Sequence, residues 1–580
     1  MAPGTATRIK PRYAAVSETK SGGVTYTPPT LARFLAKQIA DNANFPTGTV
    51  RVLDPAVGDG ELLCALLEEL RHRGIEAVEV HGFDTDMEAL TSARHRLKAT
   101  FLSADIRLEH GDFLDFVLRS GSFDPAPSLF SVSEPTQSFD LVIANPPYVR
   151  TQIMGAEQAQ TYAAAFGLNG RVDLYHAFLV AIARVLSLHG TAGIIASNRF
   201  MTTKGGAALR TELRTRFDLR HVWDLGDTKL FDVAVLPALI LARGHGSAGG
   251  PAPAFTSIYE TQGDPSAEAN DVIAALGTAG TSVLPDGRRF QVQHGQLDTS
   301  GPVDDLWRIA TDASDTWLAT VAKHTWRTFK EIGNIRVGVK TCADKVFIRT
   351  DWDSLPEGER PELLRPLTTH HGAGRFRATP PAKPRHILYP HESVDGRRWA
   401  VDLAHYPRAL AYLERHRATL EGRSYVIEAG RQWYEVWVAH DPAIWSLPKL
   451  VFRDISERPT FWIDLEGTIV NGDCYWLTPR SEDDIELLWL AAAVANSTFI
   501  EAFYDRRFNN KLYAGRRRFI TQYVELFPLP DPSIPLSRDL IALAKEIYSS
   551  TNQDERKRLE AYLDNIVWEA FGLRREEVPR

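Results

Sequence analysis

The residues with the clearest chemical potential form the run Asn145-Pro146-Pro147-Tyr148, which ends an apolar segment. Proline has a fixed φ and no N–H, so two prolines stop a strand and leave nearby carbonyls without a ladder partner. The Asn145 amide oxygen and the Pro146 carbonyl together offer acceptors for both hydrogens of an exocyclic amine. Such bonding draws the nitrogen lone pair out of ring conjugation, and Tyr148 supplies a ring that stacks on a base. The run therefore indicates methylation of a base amino group.

An acidic, glycine-containing turn lies about ninety residues earlier. The run 54–60 (Asp-Pro-Ala-Val-Gly-Asp-Gly) follows a short apolar strand and leads directly into a helical pattern. Its glycines allow positive φ and let the backbone approach a ligand closely. Leu63 replaces the third glycine of a dinucleotide-binding fingerprint, and the acids Asp54 and Asp59 would repel a pyrophosphate. The turn thus disfavours NAD and favours a cationic cofactor such as S-adenosylmethionine.

Two further acids follow the next two candidate strands. Asp84 comes after Phe83, where a carboxylate can accept two hydrogen bonds from the vicinal diol of a ribose. Asp112 is followed by Phe113, a pair that suits an adenine amino group and ring. We find no His, Cys and acidic cluster with ligand spacing, so no metal is expected.

These motifs resemble the amino-methyltransferases of DNA, and specifically the TaqI-like adenine-N6 enzymes of the gamma arrangement. In that arrangement the cofactor motifs precede the catalytic tetrapeptide, and the target-recognition domain is carboxyl-terminal. The resemblance implies S-adenosylmethionine as cofactor, double-stranded DNA as partner, and an adenine flipped out of the duplex. The positions that match the family's cofactor contacts are Thr27, Asp54, Ala56, Gly58, Asp84, Asp112, Phe113 and Phe178.

The same resemblance assigns the reacting site. Asn145 to Tyr148 matches the catalytic tetrapeptide without departure, and Phe231 has the position of a second aromatic that sandwiches the extruded base. The commoner role of a buried phenylalanine is in the core. Cytosine-N4 methylation stays open as an alternative, because the same acceptors can bind any exocyclic amine, although Asn at position 145 favours adenine.

The elements that must position these residues alternate between short β-branched runs and helical patterns from Val50 onward. This alternation predicts a parallel sheet with helices on both faces and a site at the carboxyl ends of the strands. We therefore expect an α/β protein with a Rossmann-like, doubly wound methyltransferase sheet and a second, mixed α+β DNA-recognition domain. The predicted divisions are an amino-terminal arm (1–22), a catalytic domain (23–250), a linker (251–306) and a target-recognition domain (307–580).

A basic and aromatic segment in the second half is suited to DNA. Residues 501–520 carry six bases against two acids, interleaved with Phe and Tyr. Cationic side chains bind phosphates and aromatic rings contact bases. Arg453 lies in another segment that is similar to TaqI-like recognition domains. The predicted DNA-binding residues are Arg506, Arg507, Lys511, Arg516, Arg517 and Arg518.

Composition limits the remaining possibilities. The 580 residues carry 66 Lys and Arg against 73 Asp and Glu, a net charge of -7, which argues against binding of nucleic acid by bulk charge alone. Three cysteines cannot build a disulfide framework, and the amino terminus lacks the apolar core of a signal peptide, so we expect a cytoplasmic protein.

Three rival functions are weaker. Glutamine methyltransferases share the tetrapeptide but are typically short, and they lack a large basic and aromatic second domain. A catalytically silent DNA-binding subunit would have no need of the complete set of acids and the tetrapeptide. A fused nuclease would require a domain for which the amino-terminal arm has no room. We expect the modification enzyme of a restriction-modification system, with any cognate endonuclease acting separately and no membrane partner.

Overall fold

A computed structural model describes residues 26–119, 138–148, 156–168, 173–231, 235–244, 252–299, 301–481, 484–508 and 516–578. The chain divides into two compact units, Met1–Thr311 (unit 1) and Asp312–Arg580 (unit 2). The predicted arm (1–22) and Lys511 lie outside the described residues. The boundary between the units falls close to the one expected at residue 307.

Unit 1 is built on one large mixed sheet with the strand order β3-β2-β1-β4-β5-β7-β6-β8-β11-β10-β9, and β12 pairs with β11. Strands β3, β2, β1, β4 and β5 run parallel, whereas β7 is antiparallel to both of its neighbours. The bounds are β1 Val50–Asp54, β2 Val78–Asp84, β3 Asp105–His110, β4 Phe139–Ala144, β5 Leu186–Ser197, β6 Phe217–Asp224, β7 Pro237–Gly244, β8 Ala254–Glu260, β9 Ala267–Glu268, β10 Gly280–Val283, β11 Arg289–Leu297 and β12 Ile309–Ala310.

Helices cover both faces of this sheet. They are α1 Pro29–Asn42, α2 Glu61–His72, α3 Met87–Thr100, α4 Phe113–Arg119, α5 Ala156–Phe166, α6 Leu174–Val185, α7 Arg199–Thr202, α8 Ala207–Arg216 and α9 Val272–Ala275. Alternate residues of a strand point to opposite faces. Leu53 and Val142 accordingly enter a core with α4, α6 and α8, and Val52 and Leu141 enter a second core with α1, α2 and α3. The doubly wound arrangement expected from the alternating pattern is present.

The segment 251–306 differs from its interpretation as a linker. Strand β8 pairs in parallel with β6 and antiparallel with β11, and β10 and β9 follow, so this segment adds four strands to the large sheet. The glycine- and proline-rich run 244–254 lies between β7 and β8, two strands of the same sheet. Composition alone does not distinguish a connection within one sheet from a connection between domains.

Unit 2 is a mixed α+β unit with several small sheets. The largest has the order β14-β25-β21-β23-β17, and a second has the order β15-β18-β16-β24. The bounds of the strands are β13 Arg327–Thr328, β14 Gly333–Val337, β15 Ile348–Arg349, β16 Leu364–Thr368, β17 Phe376–Arg377, β18 Arg385–Leu388, β19 His391–Val394, β20 Arg397–Ala400, β21 Lys449–Arg453, β22 Ile455–Ser456, β23 Phe461–Asp464, β24 Ile469–Val470, β25 Cys474–Pro479, β26 Arg517–Arg518 and β27 Pro528–Leu529.

The helices of unit 2 pack around these sheets. They are α10 Asp312–Lys323, α11 Phe329–Ile332, α12 Asp344–Phe347, α13 Pro407–Arg415, α14 Arg417–Glu421, α15 Ser424–Glu428, α16 Ile485–Ala495, α17 Thr498–Phe508, α18 Thr521–Val524, α19 Pro535–Ser549 and α20 Gln553–Ala570. Within the described ranges no single helix is long and apolar enough to cross a membrane, and only the pair α16 and α17, bent by 77°, passes that test together.

Candidate active site

The carboxyl ends of β1, β2, β3, β4 and β5 meet at one edge of the unit 1 sheet because these strands are parallel. Asp54 is the last residue of β1 and Asp84 the last of β2. Asp112 follows β3, and Asn145 follows β4 directly. Residues far apart in the sequence are thereby gathered along one edge, as the alternating pattern predicted.

The turn after β1 is held in a fixed conformation. Gly58 and Gly60 have φ values of +53° and +82°, the left-handed region that glycine enters without steric cost. The Gly58 N–H donates to Asp84 Oδ2 at 2.7 Å, and the Ala56 N–H donates to Asp54 Oδ1 at 3.0 Å. Helix α2 begins at Glu61, so the turn presents both backbone and the start of a helix to the sheet edge.

Asp54 is the most perturbed acid of this edge. It has no exposed surface, and its Oδ2 has no hydrogen-bond partner. Burial raises the pKa of Asp54 to about 8, the Ala56 N–H opposes the rise, and the carboxylates of Asp84 and Asp59 add to it. A buried carboxylate oxygen without a partner is costly, and a cationic ligand group would satisfy it.

Asp112 and two aromatic rings complete the predicted cofactor side. Asp112 accepts from the Leu114 N–H at 2.8 Å and from the Tyr162 hydroxyl at 3.0 Å. Phe113 is fully buried, and its ring centroid lies 5.8 Å from that of Phe178. These two phenylalanines therefore pack in the core under the edge, while Asp112 lies at the edge itself.

The tetrapeptide lies in a network of its own. Asn145 Nδ2 donates to Thr27 Oγ1 at 3.0 Å, and the Tyr148 hydroxyl donates to Asn145 Oδ1 at 3.0 Å. The Tyr148 ring lies 6.2 Å from that of Tyr175, and burial raises the pKa of the Tyr148 hydroxyl, which keeps it protonated. The structure thus brings Thr27, predicted as a cofactor contact, against the predicted catalytic amide 118 residues away.

Comparison with known proteins identifies the family of this chain. Residues 79–231 match the model of the Eco57I restriction-modification methylase, and residues 410–529 match the TaqI-like C-terminal specificity domain. The Type II methyltransferase M.BanIII of Aneurinibacillus aneurinilyticus is 39% identical over 572 residues, which are 96% of this chain and 98% of that protein. The chain belongs to the Type II DNA methyltransferases. The resemblance inferred from the sequence is confirmed.

Other relatives support the same assignment for this methyltransferase. M.PaeR7I of Pseudomonas aeruginosa is 27% identical over 92% of this chain and 88% of its own length. The solved structure of the Type IIL restriction-modification enzyme MmeI in complex with DNA covers 94% of this chain and 73% of its own, at 14% identity and a TM-score of 0.55. The fold class predicted from the sequence is confirmed, and family and fold together imply an S-adenosylmethionine donor.

A buried polar network holds the end of β6 in this methyltransferase, seven residues before Phe231. Asp224, at the end of β6, accepts from Tyr259 at 2.6 Å, from Asn198 Nδ2 at 2.9 Å and from the Gly226 N–H at 3.1 Å. Burial raises the pKa of Asp224, and the bonds from Tyr259 and Asn198 oppose the rise. Phe231 is buried and belongs to the core on the α1 face of the sheet, whereas Tyr148 packs at the border of the opposite core.

Most of the basic residues predicted to bind DNA take part in contacts within unit 2. The guanidinium of Arg506 lies 5.4 Å from the ring centroid of Trp317. Arg517, with its side chain 12% exposed, donates twice to Asp505 at 2.7 and 2.8 Å. Arg518 donates to both oxygens of Asp454, at 3.0 and 3.2 Å.

The two remaining described arginines of this set are less enclosed. Arg507 is half-buried, and the Arg516 side chain is 56% exposed. In the described parts of 506–518, Arg517 and Arg518 bind acids of the same unit, so part of the positive charge that the composition indicates is paired within unit 2.

Sequence reasoning missed several residues of the site. Tyr162 donates to Asp112 across 50 positions, Tyr175 contacts Tyr148, and Tyr259 holds Asp224 across 35 positions. No local motif marks them, because each one acts through a contact that exists only in the folded sheet. The one signal available in the sequence was the position of Tyr175 in α6, the helix that also carries the predicted cofactor contact Phe178.

Proposed function

We propose that this protein is a site-specific methyltransferase that transfers a methyl group from S-adenosylmethionine to the N6 amino group of an adenine flipped out of double-stranded DNA. The observation that carries the proposal is the Asn145 amide, held between Thr27 and Tyr148 at the end of β4. The same edge bears the turn 54–60 after β1, so the groups proposed to bind the amine and those proposed to bind the cofactor lie in one site.

The residues of unit 1 fit a cationic cofactor. Asp54 Oδ2 is buried without a partner and suits a positively charged group, and Asp84 suits the ribose hydroxyls. Asp112 suits the adenine amino group, and Thr27, Ala56, Gly58, Phe113 and Phe178 complete the proposed cofactor contacts. S-adenosylmethionine, when bound, supplies a methyl group on a sulfonium, whose transfer forms an N–C bond as the S–C bond breaks.

The tetrapeptide prepares the amine. Thr27 accepts from Asn145 Nδ2 and so fixes the orientation of the amide, whose Oδ1 accepts from the Tyr148 hydroxyl. An amide oxygen can accept more than one hydrogen bond, and Asn145 Oδ1 and the Pro146 carbonyl accept the two amine hydrogens of the flipped base. Hydrogen bonds to both hydrogens turn the nitrogen lone pair away from the ring, which makes it nucleophilic.

Flipping costs a few kcal/mol of stacking and pairing, and a pocket with aromatic walls recovers part of this cost. We propose that Tyr148 forms one wall and Phe231 the other. The support for Phe231 is that it follows Asp224, which Asn198 and Tyr259 hold at the end of β6 on the same sheet edge.

Replacement of the catalytic amide tests the proposal. Asn145→Ala should lower the methyl-transfer rate at least about 100-fold, a loss typical of removing a group that stabilises a transition state. Binding of S-adenosylmethionine, measured by calorimetry, should change little. Asn44→Ala, at an exposed asparagine of unit 1, is the control and should methylate DNA as the wild type does.

The modified base is identified by hydrolysis of plasmid DNA after expression in a host that does not methylate its own DNA. N6-methyladenine in the mass spectrum is the expected product. Detection of N4-methylcytosine in its place, or full methylation by the Asn145→Ala variant, would refute the adenine assignment or the proposed role of the amide.

We further propose that this methyltransferase protects a site that a separate endonuclease cuts. The support is that M.BanIII and M.PaeR7I, which match over nearly their whole lengths, are both Type II methyltransferases. Incubation with duplex DNA and magnesium should leave the DNA intact. Appearance of specific fragments would show that this chain itself cleaves.

A further inference from the structure

Unit 2 contains a cavity of about 680 Å³ with a basic rim, which we call the unit 2 cleft. Strands β16, β18 and β23 and the exposed loop 379–384 line it. Three of the six loop residues are proline, which fixes φ and removes backbone donors, so the loop has few conformations available. The basic side chains that line the cleft are His371, Arg377, Lys383, Arg385 and His386.

Two of these cations lack a neutralising partner. In the described parts of unit 2, no carboxylate lies within ion-pair distance of Lys383 or Arg385. Asp351 accepts two hydrogen bonds from Arg349, at 2.8 and 2.9 Å. These bonds are the main cause of its lowered pKa, to which the charge of Lys383 adds only a small effect. Lys383 is exposed and Arg385 half-buried, so both can reach a ligand.

The acids of the lining do not cancel this charge. Asp464 is paired with the buried Lys449 at 3.3 Å and also accepts from Thr468. Glu466 is exposed at the rim and is the acid that remains in the described lining. The cleft therefore has an excess of positive charge.

A further cation lies next to the cleft. Arg453, at the end of β21, has a buried Nε without a hydrogen-bond partner. The charge of His370 and burial lower the pKa of His371, and the charges of Arg385 and Arg453 add to this effect. Asp473, which opposes that effect, is bonded to His370.

We propose that the unit 2 cleft binds the phosphate backbone of duplex DNA, with Lys383 and Arg385 as the phosphate contacts. This inference rests on the proposed function and assigns the DNA contact to a surface other than the segment 506–518. Lys383 and Arg385 lie outside residues 410–529, the part of unit 2 that matches the specificity-domain model, whereas β23, which also lines the cleft, lies within it.

Charge and chemistry favour a phosphate backbone as the occupant. Duplex DNA presents one negative charge per about 1.7 Å of its axis, and most protein contacts to it are made with phosphates by Lys, Arg and hydroxyl groups. The cleft combines unpaired cations with the hydroxyls of Thr368 and Thr379 on a stiff loop and a sheet. By contrast, Arg506 and Arg517 are already engaged within unit 2.

The test is the full-length double variant Lys383→Ala/Arg385→Ala, with a fluorescent duplex of about 30 base pairs that contains the methylated site, followed by anisotropy at several salt concentrations. Removal of two phosphate contacts should reduce the slope of log K against log [salt] by about 1.8 and weaken binding roughly tenfold or more near 0.1 M salt. Calorimetric binding of S-adenosylmethionine should stay unchanged, because its proposed contacts are in unit 1.

The matched control is Lys557→Ala/Arg558→Ala, which removes the same charge from exposed positions of α20 that do not line the cleft. The charge-conserving variant Lys383→Arg/Arg385→Lys should bind DNA nearly as the wild type does. An unchanged affinity and slope in the alanine double variant, or an equal loss in the control, would overturn the inference. So would stoichiometric binding of inorganic pyrophosphate that the double variant loses while its DNA affinity is retained.

These outcomes are distinct from failure of the proposed function. A wild-type protein that neither binds nor methylates duplex DNA would overturn the function and the cleft together. A wild-type protein that methylates DNA beside an unaffected double variant overturns the cleft alone.

Discussion

At the scale of single residues, the carboxyl group of Asp54 couples the cofactor site to pH. Burial is the main cause of its raised pKa of about 8, so the group stays protonated at neutral pH in the ligand-free protein. A bound cation favours the ionised form, because an opposite charge at close range stabilises it. Cofactor binding and proton loss from Asp54 should therefore be linked.

This linkage can be measured. Binding of S-adenosylmethionine at pH 7 should release close to one proton, seen by calorimetry in buffers of different ionisation enthalpy. Asp54→Asn should abolish the release and weaken binding about 10- to 100-fold, the value of a lost charge-assisted hydrogen bond. Asp115→Asn, at an exposed acid of α4, is the control and should release the proton as the wild type does.

The same group predicts how stability depends on pH. Between the unfolded pKa near 4 and the folded value of about 8, the folded state holds a proton that the unfolded state has lost. The free energy of unfolding must then fall as pH rises through this window. Asp54→Asn should flatten the decline in urea titrations, and an equally steep decline in the variant would contradict the assignment.

At the scale of elements, the cofactor turn depends on close packing between β2 and the strands and turn beside it. A Cβ at Gly82 would lie 2.5 Å from Val57 Cγ2 and 2.7 Å from Leu108 Cδ2. Val57 belongs to the turn after β1, and Leu108 to β3. The absence of a side chain at position 82 therefore lets the turn sit directly on the sheet.

Gly82→Ala should lower the free energy of unfolding by about 1–3 kcal/mol, the usual cost of overpacking a filled core. It should also weaken cofactor binding, because Val57 must move. Chemical denaturation and calorimetry measure the two effects. Gly48→Ala, where nothing lies within 4 Å of the new Cβ, is the matched control and should show neither.

The connection between β6 and β7 depends on Tyr259 from the neighbouring strand β8. The hydrogen bond from its hydroxyl to the buried Asp224 is 2.6 Å long, shorter than the bonds from Asn198 and Gly226. Tyr259→Phe leaves that carboxyl less satisfied and should cost about 1–3 kcal/mol in free energy of unfolding. Tyr562→Phe, at a tyrosine that is 60% exposed, should cost nothing measurable in the same denaturation series.

At the scale of the whole molecule, the two units have separate cores and differ in the charge of their candidate sites. The acids Asp54, Asp84 and Asp112 belong to unit 1, and the unit 2 cleft carries unpaired cations. The net charge of -7 is an average over these opposite local charges. Bulk charge therefore does not predict which surface meets a polyanion.

This division predicts which backbone amides a bound cofactor protects from hydrogen exchange. A bound ligand raises the free energy of local opening only where the opening disrupts the binding site. S-adenosylmethionine should slow hydrogen exchange in the turn 54–60 and at the ends of β2 and β3, and should leave β21, β23 and β25 unchanged. Mass spectrometry of the exchanged peptides measures this, and equal protection in both units would contradict it.

The sequence alone determined the site motifs and the order of the main elements. Asn145 to Tyr148 and the turn 54–60 are contiguous, and their chemistry follows from residue types and neighbours. The alternation of strands and helices placed them at one sheet edge, because parallel strands end on the same side. Composition and pattern also predicted a second domain that begins near residue 307.

Only the tertiary structure decided which side chains are engaged. It showed that 251–306 extends the sheet, that Thr27 binds Asn145, and that Tyr162 and Tyr259 hold acids of the site. It also showed that Arg517 and Arg518, predicted to bind DNA, form ion pairs with Asp505 and Asp454. The physical reason is that ion pairs, burial and pairing between distant strands depend on contacts across many positions, and local sequence does not record them.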